Sequence, residues 1–192
     1  HRYLTNVIDT DIKKVVWNGQ GRKAEVLDKY YKGIGQENCE KIESVALDGA
    51  RTYISSTSQY AIKALIVCDK FHVIQKLNVA VDTVRRIELR KARVAKQDDV
   101  IEMMNCRQRF ILLKNKANLT EKQAEHLKCL CEINEPIYKA MLLKDSFQEV
   151  YMQNNEETAR VCLEAWIQQA LLSGLEIFRA IAESFRDKMQ FI

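Results

Sequence analysis

Two short apolar stretches decide the fold of this chain: Val45-Ala46-Leu47-Asp48-Gly49 and Leu65-Ile66-Val67-Cys68-Asp69. Neither stretch alternates apolar with polar residues, which is typical of strands that are covered on both faces. Residues 51–59 lie between them and predict a short helix. Together these segments predict a strand–helix–strand crossover within a sheet.

A hairpin and a helix precede this crossover. Residues 3–8 and 13–17 predict two strands, because Asp9-Thr10-Asp11 between them is typical of a turn. Residues 23–32 have helical spacing, and that helix is expected to stop at Gly33. The order of elements predicts an α/β fold, in which helices flank a mixed sheet.

The apolar period changes to a helical one after Phe71. One stripe of apolar residues predicts a long helix that passes Lys96 and extends to about Leu113; its members are Ile74, Leu77, Val81, Val84 and Ile87. Further helices are expected to begin at Thr120, at Asn134 and near Glu156. We therefore expect two regions, an α/β region over residues 1–113 that includes the long helix, and an all-helical region over residues 114–192.

Composition narrows the class of protein. The chain has 192 residues, of which 47% are hydrophobic and 29% charged, and this balance suits a folded protein with a buried core. Its apolar runs are shorter than the ~18 residues that a membrane-spanning helix needs. The six cysteines form no CxxC pair and no leader opens the chain, so reduced thiols and a cytoplasmic location are expected.

Positive charge is concentrated on the long helix. Residues 85–96 contain six basic residues and one acid, Glu88, in a chain whose net charge is +4. A local field of this sign attracts polyanions such as nucleic acid. The alternative interpretation is an ordinary solvated helix face.

Asp48 and Asp69 are the candidates for chemistry. Each follows a predicted strand at its carboxyl end, where open α/β sheets build their sites. Paired carboxylates there could hold Mg²⁺, which prefers oxygen ligands. The alternative is that each aspartate caps the helix after it. His72 could approach such a metal or DNA, or stabilise the start of its helix.

Several motifs resemble the DDE transposases of bacterial insertion sequences, of the ISL-three type. They are Val45 to Gly49, Asp69-Lys70-Phe71-His72 with Leu77-Asn78 and Val84-Arg85-Arg86 after it, Phe110 to Asn115, and Pro136 to Ala140. The resemblance implies an RNase H-like sheet with a helical insertion, and Mg²⁺-dependent hydrolysis and strand transfer at transposon ends. It implies that Asp48 is the second acid of the family, with Asp69 beside it.

The same resemblance implies the partners. DNA, both transposon ends and target, would be bound in the bacterial cytoplasm at the nucleoid. The residues expected to contact it are Lys70, His72, Arg85, Arg86, Arg90, Lys91 and Arg93.

The family pattern has parts that this sequence does not contain. A first aspartate would precede the hairpin, and a final glutamate would follow the helical insertion. We therefore expect an internal segment of a transposase that is inactive alone. Because the first aspartate lies on the central strand of the implied sheet, we expect another segment or chain to fill that gap, or the sheet to be rearranged.

Two other functions remain open. One is a non-catalytic module that binds DNA through the basic helix and self-associates. The other is a nucleotide-binding α/β protein, which is disfavoured because Gly19-Gln20-Gly21 is not a complete glycine-rich phosphate loop.

Overall fold

The computed structural model of the protein describes residues 3–105, 108–114 and 116–187. These residues form two compact units that divide between His72 and Val73. We call residues 3–72 the sheet unit and residues 73–187 the helical unit. The division expected from the sequence, after residue 113, stays a prediction.

The sheet unit contains four strands and three complete helices. Their bounds, in chain order, are β1 (Leu4–Asp9), β2 (Lys14–Gln20), α1 (Ala24–Ile34), α2 (Gln36–Cys39), β3 (Ser44–Leu47), α3 (Arg51–Tyr60) and β4 (Leu65–Cys68). The predicted order of hairpin, helix, strand, helix and strand is confirmed, and the α/β class with it.

The strands form two separate pairs. β1 and β2 are antiparallel, with a register irregularity between Val7 and Ile8, whereas β3 and β4 are parallel. Within residues 3–72 no strand joins one pair to the other. The expectation of one mixed sheet is therefore wrong for the residues described. In the family that the sequence resembles, a further central strand is expected to lie between these two pairs.

The core of the sheet unit lies under its helices. Leu27 and Tyr31 of α1 pack with Cys39 and Ala61, and all four are buried. Polar contacts join α1 to α3, because the Tyr31 hydroxyl lies 2.9 Å from the Thr57 hydroxyl. α3 also contacts both β3 and β4, the two strands that it connects in the chain.

The helical unit is built from amphipathic helices. Their bounds are α4 (Lys70–Val94, which begins at the end of the sheet unit), α5 (Asp98–Met103), α6 (Arg109–Leu113), α7 (Glu121–Ile133), α8 (Glu135–Ser146), α9 (Glu156–Leu172) and α10 (Glu176–Arg186). Short 3-10 helices cover Lys116–Asn118 and Phe147–Met152. None of the described helices has the length and apolar run needed to cross a bilayer.

Phe147 occupies the centre of the helical core. Its ring meets the rings of Trp166 and Phe185 at centroid distances of 4.8 and 5.3 Å, and all three side chains are buried. The indole Nε1 of Trp166 donates a hydrogen bond to the Leu143 carbonyl at 2.7 Å. Burying both the rings and this polar atom makes the cluster a strong tertiary anchor.

The long basic helix is shorter than expected. α4 ends at Val94 because Lys96 adopts a left-handed conformation with φ of 55°. The amide of Gln97 then donates to the Ala92 carbonyl and that of Lys96 to the Arg93 carbonyl, which is the Schellman arrangement of a helix end. α5 and α6 are separate helices. Ile87, expected in the buried stripe, is exposed, and Glu88 is buried beside it.

Candidate functional site

The strand register places the two candidate aspartates at one edge. In the parallel pair, Leu47 lies opposite Cys68, so Asp48 and Asp69 both follow the last paired residue of neighbouring strands. The backbone amide of Asp69 donates to the Leu47 carbonyl at 2.7 Å, which continues the ladder to this point. Asp48 is exposed, and the Asp69 side chain is 39% exposed. The two acids therefore share one solvent-accessible edge, as expected.

Each carboxylate also stabilises its local turn. Asp48 Oδ1 accepts a hydrogen bond from the backbone amide of Ala50 at 2.9 Å. Asp69 Oδ1 accepts from the backbone amide of Phe71 at 2.8 Å, at the start of α4. The alternative interpretation from the sequence, a turn or capping role, is thus present at both positions beside the shared edge.

His72 is held against Asp69. Its Nδ1 lies 2.8 Å from Asp69 Oδ2, and the Phe71 ring and the imidazole form a T-shaped pair at a centroid distance of 5.7 Å. The hydrogen bond with His72 is the main cause that lowers the pKa of Asp69; burial opposes it, and the hydrogen bond from the Phe71 amide adds to the lowering. Asp69 is therefore ionised throughout the neutral range, which a cation ligand requires.

The donor set suits part of a magnesium shell. Two carboxylates at an open edge offer hard oxygen ligands, and Mg²⁺ keeps several of its waters when proteins bind it. Within the described ranges no group of three or more acidic, histidine or cysteine side chains is arranged to hold a metal ion. The residues present thus fit a site in which solvent, DNA or further protein groups supply the remaining ligands.

Most of the basic residues predicted to contact DNA lie at the surface. The exposed members are Lys70, Arg86, Arg90, Lys91 and Arg93, and His72 is half-buried. Lys91 Nζ also donates to Glu88 Oε1 at 2.7 Å. Arg85 differs from the prediction, since its side chain is only 5% exposed and is bonded within the protein. Arg85 is therefore not available to a DNA phosphate in this conformation.

The buried Arg85 side chain is paired with Asp82. This carboxylate is 2% exposed and contacts three guanidinium groups, those of Arg85, Arg86 and Arg109. Burial raises the pKa of Asp82, but the hydrogen bonds from Arg86 and Arg85 and the charges of Arg85 and Arg109 hold that pKa below its ordinary value. Arg85 Nη1 additionally donates to the Met104 carbonyl at 2.8 Å.

Sequence reasoning missed this cluster. One part carried a signal, because Asp82 stands three and four residues before Arg85 and Arg86, the spacing at which helical side chains meet. Arg109 carried none, since it lies on α6 and joins the cluster only through tertiary packing.

Comparison with known proteins gives consistent results. A family model described as transposase, of the ISL-three type, matches residues 1–192. The transposase for insertion sequence element IS1001 of Bordetella parapertussis is 28% identical over 186 residues, which cover 97% of this chain and 45% of that protein. The transposase for insertion sequence element IS1557 of Mycobacterium tuberculosis is 27% identical over an alignment of 202 positions, which covers 95% of this chain and 45% of that protein.

The chain thus spans a little under half the length of these curated relatives. No solved structure matches it. The family match covers the hairpin, both strand-end aspartates, the basic helix and the helical unit alike. On this evidence the chain belongs to the transposase family of ISL-three insertion sequences.

Proposed function

We propose that this chain is part of the catalytic region of a DDE transposase, in which Asp48 and Asp69 hold Mg²⁺ against a DNA backbone. The observation that carries the proposal is the parallel register of β3 and β4, which brings both acids to one open edge in a chain matched throughout by a transposase family. When bound, the metal would activate a nucleophile and stabilise the leaving oxygen of a phosphodiester.

The residues of this chain bind and orient. Asp48 supplies an exposed carboxylate, and His72 orients the Asp69 carboxylate through its 2.8 Å contact. The exposed basic residues of α4 would neutralise DNA phosphates without reading base sequence. The complete reaction, hydrolysis at a transposon end followed by strand transfer, is proposed for the longer protein in bacterial cytoplasm, and this chain alone is proposed not to carry it out.

Metal binding tests this proposal. Asp48→Asn and Asp69→Asn remove one charge each and keep the side-chain size, whereas Asp98→Asn makes the same change at an exposed position in the helical unit. Isothermal titration with Mg²⁺ and Mn²⁺ should show affinity weakened about tenfold or more in the first two variants and unchanged in the third. Equal affinity in all three proteins would overturn the metal site.

A second candidate function is a non-catalytic module that binds DNA and associates with further copies. It is favoured by the exposed basic residues on the second half of α4: Arg86, Arg90, Lys91 and Arg93. Such a module should bind duplex DNA with an affinity that falls steeply with salt and is indifferent to Asp48→Asn. A catalytic region should instead show an additional, Mg²⁺-dependent part of the affinity that Asp48→Asn removes. Sedimentation at several concentrations tests the association.

A further inference from the structure

A single buried carboxylate in the helical unit is shared by three arginines. Asp82 Oδ2 accepts from Arg86 Nε and Nη2 at 2.9 and 2.7 Å, and Asp82 Oδ1 accepts from Arg85 Nε at 2.9 Å. Arg109 Nε lies 3.2 Å from the same Oδ1. One negative charge cannot neutralise three positive ones, so the cluster keeps an excess of positive charge.

The three arginines are not equivalent. The side chain of Arg85 is 5% exposed, and its remaining donors face the protein interior, where Met104 accepts one of them. The side chains of Arg86 and Arg109 are 57% and 46% exposed. In the part of the chain that the structure describes, neither of these two pairs with any other carboxylate. The excess positive charge is therefore exposed to solvent on Arg86 and Arg109.

The geometry of these two side chains suits an oxyanion. Each guanidinium has five N–H donors in a planar fork. Arg86 donates to Asp82 through Nε and Nη2, and Arg109 approaches Asp82 through Nε, so each fork has further donors beyond those that contact Asp82. Because both forks are held to one buried carboxylate, little side-chain entropy remains to be lost when they bind a ligand. Two cations that contact one carboxylate also repel each other, and an anion that binds both relieves that repulsion.

We infer that Arg86 and Arg109 form a clamp for one phosphate of the DNA backbone, and that Asp82 is the residue that positions them. The inference rests on the proposed function for the choice of DNA as the source of the phosphate. It adds Arg109 and Asp82 to the DNA-binding surface, and it gives Arg85 a structural role between Asp82 and the Met104 carbonyl.

Duplex binding measured by fluorescence anisotropy over a range of salt tests the clamp. Arg86→Gln and Arg109→Gln should each weaken binding about tenfold and make the salt dependence shallower by about one counterion. The double variant should lose less than the product of both effects, because one phosphate is shared. Arg160→Gln is the matched control, since the Arg160 side chain is 48% exposed and pairs with Glu156, away from the Asp82 cluster. Clamp variants that behave like this control would overturn the inference.

Asp82→Asn separates positioning from net charge. This variant adds one unit of positive charge, so charge alone predicts tighter DNA binding, whereas loss of positioning predicts weaker binding. Where circular dichroism shows this variant to be misfolded, Arg109→Lys replaces it, because lysine keeps the charge and lacks the fork. Arg109→Lys should bind DNA nearly as weakly as Arg109→Gln, and full affinity in Arg109→Lys would contradict the clamp.

Inorganic phosphate, used as a second probe, separates this inference from the proposed function. The arginine Nε–H resonances of Arg86 and Arg109 should shift on phosphate addition, and that of Arg160 should not. If phosphate shifts them while duplex DNA does not bind, the oxyanion clamp stands, its phosphate comes from a free source, and the DNA-binding part of the proposed function fails. If neither probe acts at these residues, the clamp is wrong.

Discussion

The sheet unit and the helical unit bury their apolar residues to very different degrees. In the sheet unit, Leu4, Ile8 and Val15 of the hairpin are each more than half exposed, and the buried core consists of a few side chains under the helices. In the helical unit, Phe147 and Phe178 are wholly buried. Two-stranded sheets bury little area by themselves. The helical unit therefore buries more of its apolar side chains than the sheet unit, because its amphipathic helices pack against one another.

The same contrast governs the acidic residues. Asp69 at the sheet edge is 39% exposed and can meet an external cation. Asp82 in the helical unit is 2% exposed, and its charge is used entirely by arginines of the protein. An acid at an open edge thus remains available for chemistry, whereas a buried acid organises its neighbours.

Alanine substitutions at two phenylalanines test the difference in burial between the two units. Phe147→Ala should lower the free energy of unfolding by about 3–5 kcal/mol, because it empties space among Trp166, Phe185 and Tyr151. Phe71→Ala makes the same change at a side chain that is 68% exposed, and it should change the free energy of unfolding by no more than about 0.5 kcal/mol. Urea unfolding followed by far-ultraviolet circular dichroism measures both. Similar losses in the two variants would break the contrast.

Helix capping provides a smaller effect. The Thr120 hydroxyl accepts from the Gln123 amide while the Gln123 side chain accepts from the Thr120 amide, which is a complete capping box. Thr120→Ala removes this cap of α7 and should lower the free energy of unfolding by about 1 kcal/mol. Thr52→Ala is the control, since Thr52 is exposed on α3 in the sheet unit, and it should stay within about 0.5 kcal/mol. Thermal and urea unfolding compare them, and an unaffected Thr120→Ala protein would show that the box is not formed in solution.

The smallest effect concerns the titration of Asp69. His72→Ala removes the hydrogen bond that lowers the pKa of Asp69, so this pKa should rise towards its ordinary value of 3.8. Since the folded-state pKa is depressed, ionised Asp69 stabilises the fold above that value, and the contribution is lost as the pH falls through the lower, folded-state pKa. Carboxyl carbon NMR follows the titration. Phe71→Ala keeps the backbone donor and should leave this pKa unchanged, and an unchanged pKa in His72→Ala would contradict the role of His72.

Local patterns accounted for most element positions. Thr120, Asn134 and Asn155 cap the three helices that were expected to begin there, because each side chain accepts a hydrogen bond from a nearby backbone amide. The expected positions of β3 and β4 and the placement of Asp48 and Asp69 at one edge also follow from short apolar runs and from the crossover between them. These features depend on residues that are close together in the chain, so the sequence predicts them.

Features that depend on residues distant in the chain were not predicted from the sequence. The expected helix from Phe71 to about Leu113 stops at Val94, where Lys96 adopts a left-handed conformation that few non-glycine residues take and that its own neighbours did not predict. Ile87 was expected to be buried and is exposed. Its neighbour Glu88 is buried, and the carboxylate of Glu88 accepts hydrogen bonds from Lys91 and from Asn134, which is distant in the chain.

The α/β class, the start of each long helix, the transposase family and the pair of acids at the ends of β3 and β4 could all be predicted from the amino-acid sequence. The folded structure was needed to show that the strands form two separate pairs, and that Arg85 is buried while Arg86 and Arg109 face solvent around Asp82. Capping and apolar periodicity are effects that act within a few residues. Strand partnership and the burial of a charge, in contrast, depend on which groups the folded chain brings within hydrogen-bonding distance.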